Sequence, residues 1–253
     1  MTRLYEKVAI ITGGAEGIGK AYALGFAAEG ARIVIADVNL PAAEALADAL
    51  AKQGGKALAI RTDVSSVADT EDMVKRTLER FGKIDILVNN AAKFQRNLAV
   101  RAPVWELDPK EWESVIAVNL TGVFLCCRAV LPHMIKQKSG KIINIASSLA
   151  FLGAAQFSHY STSKGGVVTF TRTLAREVGA YNINVNALCP GYTLSGDPAT
   201  ITEERREFEV SARILKRPEY PEDLVGTAIY LASSDSDFMT GQALVVDGGV
   251  ILH

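Results

Sequence analysis

Short β-branched runs alternate with helical stretches along this chain, and few folds accommodate that order. Val8–Thr12, Arg32–Ala36, Ala57–Arg61, Ile84–Val88, Lys141–Ile145, Asn182–Leu188 and Ala243–Val246 read as strands. Helical patterns cover Lys20–Glu29, Pro41–Gln53, Val67–Phe81, Glu111–Lys136, Ser158–Ala180, Glu203–Val210 and Pro221–Ser233. Strands separated by helices of this length are joined by right-handed crossovers, so they lie parallel with helices on both faces of the sheet. The order predicts an α/β fold, a doubly wound parallel sheet of about seven strands. No linker or repeat interrupts it, so a single domain is expected over residues 1–253.

Hydrophobic residues make up 49% of the chain, enough for a substantial core, and the net charge of −1 gives no field to hold nucleic acid or an anionic membrane. Cys126, Cys127 and Cys189 form no disulfide framework, and with His133, His159 and His253 they show no metal-ligand spacing. Met1–Lys7 lacks an apolar signal core, and no apolar run is read as approaching the ~18 residues of a membrane span. A soluble, cytoplasmic protein with no metal, nucleic-acid or membrane partner is expected.

The first strand ends in Thr12-Gly13-Gly14-Ala15-Glu16-Gly17-Ile18-Gly19, and a helix follows at once. Glycines in that context let the backbone approach a pyrophosphate, whose charge the helix N-terminus receives. The second strand ends in Asp37, ~20 residues past the glycines, placed to accept hydrogen bonds from an adenosine ribose and to repel a 2′-phosphate. Glu16 adds a second negative charge, with no basic residue read nearby. NAD rather than NADP is therefore expected, cradled by Gly13, Glu16, Gly17, Ile18, Gly19 and Asp37. Asp63 and Val64 would flank an adenine. Taken singly, an ordinary strand-to-helix turn and a solvated aspartate are the plain alternatives.

Ser158–Lys164 places Tyr160 and Lys164 four residues apart, on one face if helical. An ammonium beside a phenol favours the phenolate, so a group of pKa about 10 can trade protons with an alcohol or a carbonyl near neutrality. The same spacing arises by chance on solvated faces; its company gives it weight. Asn89-Asn90-Ala91 follows the fourth strand, at a carboxyl end where such sheets bind ligands. Asn119 lies within an apolar helix, Ala146-Ser147-Ser148 follows the fifth strand, and Cys189-Pro190-Gly191-Tyr192 follows the sixth.

Thr12-Gly-x3-Gly17-x-Gly19, Asn89-Asn90-Ala91, Asn119, Ser147, Tyr160-x3-Lys164 and Pro190-Gly191 stand in order, and from Lys7 to Gly249 the chain resembles the short-chain dehydrogenase/reductase family. The resemblance implies a Rossmann-type fold with Tyr160 as general acid/base. Lys164 would lower its pKa and bond the nicotinamide ribose. Ser147 would hold the substrate oxygen, and Asn119 would anchor a water linking Lys164 to solvent. Asn90 and Ala91 would lie near the adenosine, with Pro190, Gly191 and Thr193 against the nicotinamide carboxamide. A homotetramer is the family expectation, and Ser163, Gly165 and Gly166 would let another helix pack closely, one of this chain or of a second subunit. The chain departs from the family pattern at Ala92, Thr193 and Ser195, and in a longer 92–110 connection. Its end, Asp247-Gly248-Gly249-x3-His253, is similar to that of aromatic secondary alcohol dehydrogenases.

The expected activity is NAD-dependent hydride transfer at a secondary alcohol or ketone. Ser147, Leu149, Gln156, Phe157, Tyr160 and Tyr192 are the expected substrate contacts, with Phe94–Asn97 as a further wall and a lid over about 192–216. One alternative is a 3-oxoacyl-acyl-carrier-protein reductase; NADPH normally drives that reaction, and Asp37 and Glu16 oppose it. Its carrier would need a basic patch such as Arg96, Arg101, Arg205 and Arg206. A non-catalytic NAD-sensing regulator is the alternative from another class.

Overall fold

A strand buried on both faces must be apolar throughout, and β1 (Val8–Thr12) is buried at every position. In the computed structural model, which describes residues 2–94, 100–195 and 202–252, β1 is central to a seven-stranded parallel sheet of order β3-β2-β1-β4-β5-β6-β7. The other strands are β2 (Arg32–Asp37), β3 (Ala57–Arg61), β4 (Ile86–Asn89), β5 (Gly140–Ile145), β6 (Ile183–Pro190) and β7 (Ala243–Val246). Arg96, Asn97, His253 and residues 196–201 of the expected lid lie outside the described residues, as does the side chain of Arg205.

Alternate β1 residues feed two cores. Ala9 and Ile11 pack with α1 (Gly17–Ala28), α2 (Leu40–Lys52) and α9 (Pro221–Ala232). Val8 and Ile10 pack with α3 (Val67–Phe81), α5 (Gly122–Gln137) and α7 (Ser158–Val178). Strand order reverses between β1 and β4, and the crevice at that switch point is where such sheets bind ligands.

Three elements differ from expectation. The helix expected over Glu111–Lys136 is broken into α4 (Pro109–Ile116), a π turn at Ala117–Thr121, and α5. Asn119 occupies that turn, where the wider spacing suits a buried polar side chain better than a regular helix does. This Pro109–Gln137 stretch holds an 18-residue window that is, by length and composition, apolar enough to cross a membrane, with a mean hydropathy of 1.9, contrary to the sequence reading. Here its apolar residues Val123, Cys126, Val130 and Met134 are spent on the core beneath the sheet. The short α6 (Leu149–Leu152) was not anticipated, and β6 runs on to Pro190, paired with Val246. Finally, Ser163 is fully buried, and a Cβ on Gly166 would fall 2.9 Å from Leu120. Ser163 and Gly166 make room for the π turn of the same chain.

Thr12 stitches the crevice shut from below. Its hydroxyl donates to the Val88 carbonyl (3.3 Å) and accepts from the N–H groups of Asn90 (3.0 Å) and Ala91 (3.1 Å). Thr12→Val keeps the shape but strands the Ala91 N–H and leaves the Asn90 N–H only the Val88 carbonyl, so urea unfolding should show a loss of about 1–3 kcal/mol with an unchanged m-value.

Candidate active site

The glycine loop is shaped by close approach. Gly13 and Gly17 adopt left-handed φ angles of +59° and +54°, and a Cβ on Gly13 would sit 2.8 Å from the Ala91 Cα. Any Cβ on Gly19 would collide with the Gly13 carbonyl. Asn90, expected near the adenosine, instead donates from Nδ2 to the Thr12 and Gly13 carbonyls (3.0 and 2.9 Å) and holds the loop in place. Glu16 is the N-cap of α1 but makes no side-chain capping bond, which leaves the first-turn N–H groups for an anion. Ile18 packs toward the α1 side of the core. A dinucleotide's pyrophosphate fits this end.

Asp37 accepts from the Ala15 N–H (3.0 Å) and the Asn39 N–H (2.9 Å), so its carboxylate is fixed at the rim of the loop. Contrary to expectation a basic residue is close by: the β2–β3 register sets Arg61 beside Asp37, but its guanidinium donates to Asp69 (3.1 Å). Asp63 accepts from the Ser65 N–H and hydroxyl (2.9 and 2.6 Å). Val64 is corrected: its side chain turns into the core, 2.7 Å from where a Gly122 Cβ would lie, rather than forming an adenine wall.

Helix α7 brings Tyr160 and Lys164 onto its buried face. Tyr160 stacks on Phe157 (centroids 4.8 Å apart, planes at 15°), lies 5.1 Å from Phe94, and has Ser147 near enough to pull its pKa down. Phe157, expected in the substrate wall, is fully buried and capped by the Arg101 guanidinium 4.8 Å above its ring; it supports Tyr160 instead. The Lys164 ammonium lies 5.7 Å from the Tyr160 ring centroid and donates to the Ile145 carbonyl (2.7 Å). Burial pushes the tyrosine up to about 12, against the pull of Ser147, and the lysine down to about 8, while the lysine's charge is turned to a backbone carbonyl.

Asn119 is joined to α7 by Ser163, which accepts from Asn119 Nδ2 (3.3 Å) and donates to the Tyr160 carbonyl (2.7 Å). Its amide also brackets the backbone of Lys93, accepting from N–H (2.7 Å) and donating to the carbonyl (3.2 Å). The Lys93 ammonium is held by Glu111 (2.9 Å) and Ser114 (2.6 Å), which ties the end of β4 to α4. Lys93 went unrecognised in sequence because its partners lie far along the chain. Buried His159 lies edge-on to Phe157, and burial lowers its pKa.

At the far end, Gly191 is required by close packing, since a Cβ would come 2.9 Å from that of Asp247. The Thr193 hydroxyl donates to Glu219 (2.7 Å), and the Tyr192 carbonyl accepts from Arg213 (2.6 Å). Leu149 packs against the Phe157–Tyr160 cluster, while Gln156 is exposed, with φ of +61°. Of the basic patch, Arg206 is paired with Glu203 (3.6 Å) and Arg101 stacks on Phe157.

A family model described as short chain dehydrogenase matches residues 7–206. The chain is 41% identical over 246 residues to a (2S)-[(R)-hydroxy(phenyl)methyl]succinyl-CoA dehydrogenase subunit of Thauera aromatica, with 97% of each covered. It is 39% identical to a 3-oxoacyl-[acyl-carrier-protein] reductase of Chlamydia pneumoniae, covering 98% of each. The solved structure of levodione reductase superposes with a TM-score of 0.91 at 33% identity, covering 97% of this chain and 98% of that one. This chain belongs to the short-chain dehydrogenase/reductase family, and it is an oxidoreductase of the nicotinamide-dependent kind.

The buried lysine carries a pH signature. Lys164 titrates at about 8 in the folded protein against 10.5 unfolded, so between those values unfolding takes up a proton and stability rises with pH. From pH 7 to 10 wild type should gain about 2–3 kcal/mol relative to Lys164→Met in denaturant unfolding. A pH-independent difference between the two proteins would contradict the buried, discharging lysine.

Proposed function

We propose that this protein is an NAD-dependent dehydrogenase acting on a secondary alcohol or the matching ketone. The observation that carries the reading is Tyr160 and Lys164 together on the buried face of α7, the Lys164 ammonium 5.7 Å from the Tyr160 ring centroid, beside Ser147 at the carboxyl edge of the sheet and braced from behind by Asn119. A substrate oxygen received between the Ser147 and Tyr160 hydroxyls would meet one orienting donor and one proton carrier. Tyr160 takes the hydroxyl proton in oxidation and returns it in reduction. Lys164 keeps a positive charge beneath the tyrosine below its pKa of about 8. The nicotinamide cofactor, when bound, accepts or supplies the hydride. Asn119, on this reading, also anchors a water leading from Lys164 to solvent.

Asp37, fixed at the loop's rim, supports NAD over NADP, because a 2′-phosphate would be set against its charge. The Thauera relative's name describes a phenyl-substituted alcohol, which agrees with the C-terminal likeness to aromatic secondary alcohol dehydrogenases. Buried free thiols at Cys126, Cys127 and Cys189 agree with a reducing, cytoplasmic setting. A homotetramer completes the reading; half-exposed Phe124 on α5, edge-on to Phe170, supplies apolar surface for it. One observation favours a second reading: with its pKa raised, the phenol stands protonated at neutral pH, the form from which ketone reduction starts. The 3-oxoacyl-carrier reductase named among the relatives is the reaction of that kind.

Parallel fluorescence titrations with NADH and NADPH separate the two. NADH should bind tighter, and Asp37→Ser should erase the preference; tighter NADPH binding by wild type would favour the thioester reductase. Tyr160→Phe should cut turnover by at least about 10²-fold while NADH affinity stays within twofold of wild type, roughly. Equal turnover by mutant and wild type would refute Tyr160 as the proton carrier.

A further inference from the structure

Behind the end of β6 lies a buried ion pair that the proton chemistry above does not use. Arg213 and Glu219 are 3% and 5% exposed, with Nη2 and Oε2 3.8 Å apart. The Arg213 guanidinium donates to the Tyr192 carbonyl (2.6 Å) and the Arg217 carbonyl (3.1 Å), so one side chain ties together both ends of the segment between them. Glu219 holds the same segment at three points. Its Oε1 accepts from the Thr193 hydroxyl (2.7 Å), its backbone carbonyl accepts from the Leu194 N–H (2.8 Å), and its Oε2 lies 2.8 Å from where a Gly191 Cβ would be. That oxygen has no hydrogen-bond partner among the described residues. Burial pushes the Glu219 carboxyl up, against the opposing pull of the Thr193 bond and of Arg213.

A buried ion pair is poor value for stability alone, since apolar residues of equal volume do as well or better. Its geometry suggests a different task. A threonine hydroxyl has a single proton to donate. Thr193 spends that proton on Glu219, so toward the crevice it offers only lone pairs. The group it can receive there is a hydrogen-bond donor. Building on the cofactor reading above, in which Pro190, Gly191 and Thr193 face the nicotinamide end, we infer that Glu219 is a positioning residue that fixes Thr193 as an acceptor for the carboxamide N–H. Arg213 keeps Glu219 in place, and Gly191 leaves room for it. Glu219 thus sets, from behind, the polarity with which the cofactor's amide is met.

Binding to two cofactors tests this: NADH, and its analogue in which an acetyl group replaces the carboxamide and removes the N–H donor. Wild type should bind NADH roughly five- to tenfold more tightly than the analogue. Thr193→Val and Glu219→Ala should each bring that ratio close to one, and the double variant should fall no further, because both remove the same hydrogen bond. Glu219→Gln, which keeps an acceptor oxygen, should retain most of the preference. Should Glu219→Ala fold poorly, Thr193→Val and Glu219→Gln still decide the matter. A wild-type ratio in Thr193→Val, or in Glu219→Ala with only its melting temperature lowered, makes Glu219 a structural residue and overturns the inference. A wild type that binds neither NADH nor NADPH overturns the cofactor reading first, and this inference with it.

Discussion

The hydrogen bonds between the ends of β1 and β4 are what the rest of the site depends on. Neighbouring strands at a switch point send their chains to opposite faces of the sheet, so nothing in the sheet itself holds the two exits together. Thr12 and Asn90 do so: one hydroxyl accepts from two backbone N–H groups, and one side-chain amide donates to two backbone carbonyls. The glycine loop is pressed onto the next strand's exit as a result, and its glycines are needed because backbone meets backbone there. Asp37 fastens the same loop from the other side through Ala15. Residues that resemble ligand contacts in a motif are here first of all fasteners of the loop that would make those contacts.

Desolvation sets the character of the catalytic end. Packing Tyr160 beneath Phe94 and onto Phe157 removes it from water, and a buried phenol resists ionisation just as a buried ammonium resists protonation. In this arrangement the Lys164 ammonium is held by a backbone carbonyl, and Ser147 pulls against the effect of burial on Tyr160. Proton affinity at this site is therefore a property of enclosure, and whatever alters the enclosure retunes it.

Much of this was legible in the chain itself. The alternation of apolar runs gave the strand order's raw material, and Tyr160, Lys164, Ser147 and Asn119 stand at one carboxyl edge as their spacing and family likeness implied. What escaped was long-range or environmental. Val64 and Phe157 are apolar residues in loops near a site, and nothing local says whether such residues face ligand or core. The periodicity of 111–136 continues across the π turn without a break, so one helix was expected where two are joined. Lys93 and Glu219 act on partners 26 residues away, Asn119 and Thr193 respectively, and no short motif records such a pairing. Of the small residues on α7, Ser163 and Gly166 admit Asn119 and Leu120, a closeness that no local pattern records.

The π turn has a consequence for how this helix can change over time. It holds one residue more than a regular turn would, and each residue of an α-helix advances the facing direction by about 100°. Upstream, α4 presents Val115 to the Phe157–Tyr160 cluster; downstream, α5 presents Val123, Cys126 and Val130 to the sheet. The wide turn absorbs the surplus residue, so α5 keeps the facing of a regular helix one residue shorter. Losing its codon would let the turn close to regular helix with the downstream side chains still aimed at the sheet, and would remove the turn that seats Asn119. The extra residue is therefore there for Asn119 rather than for the packing of α5.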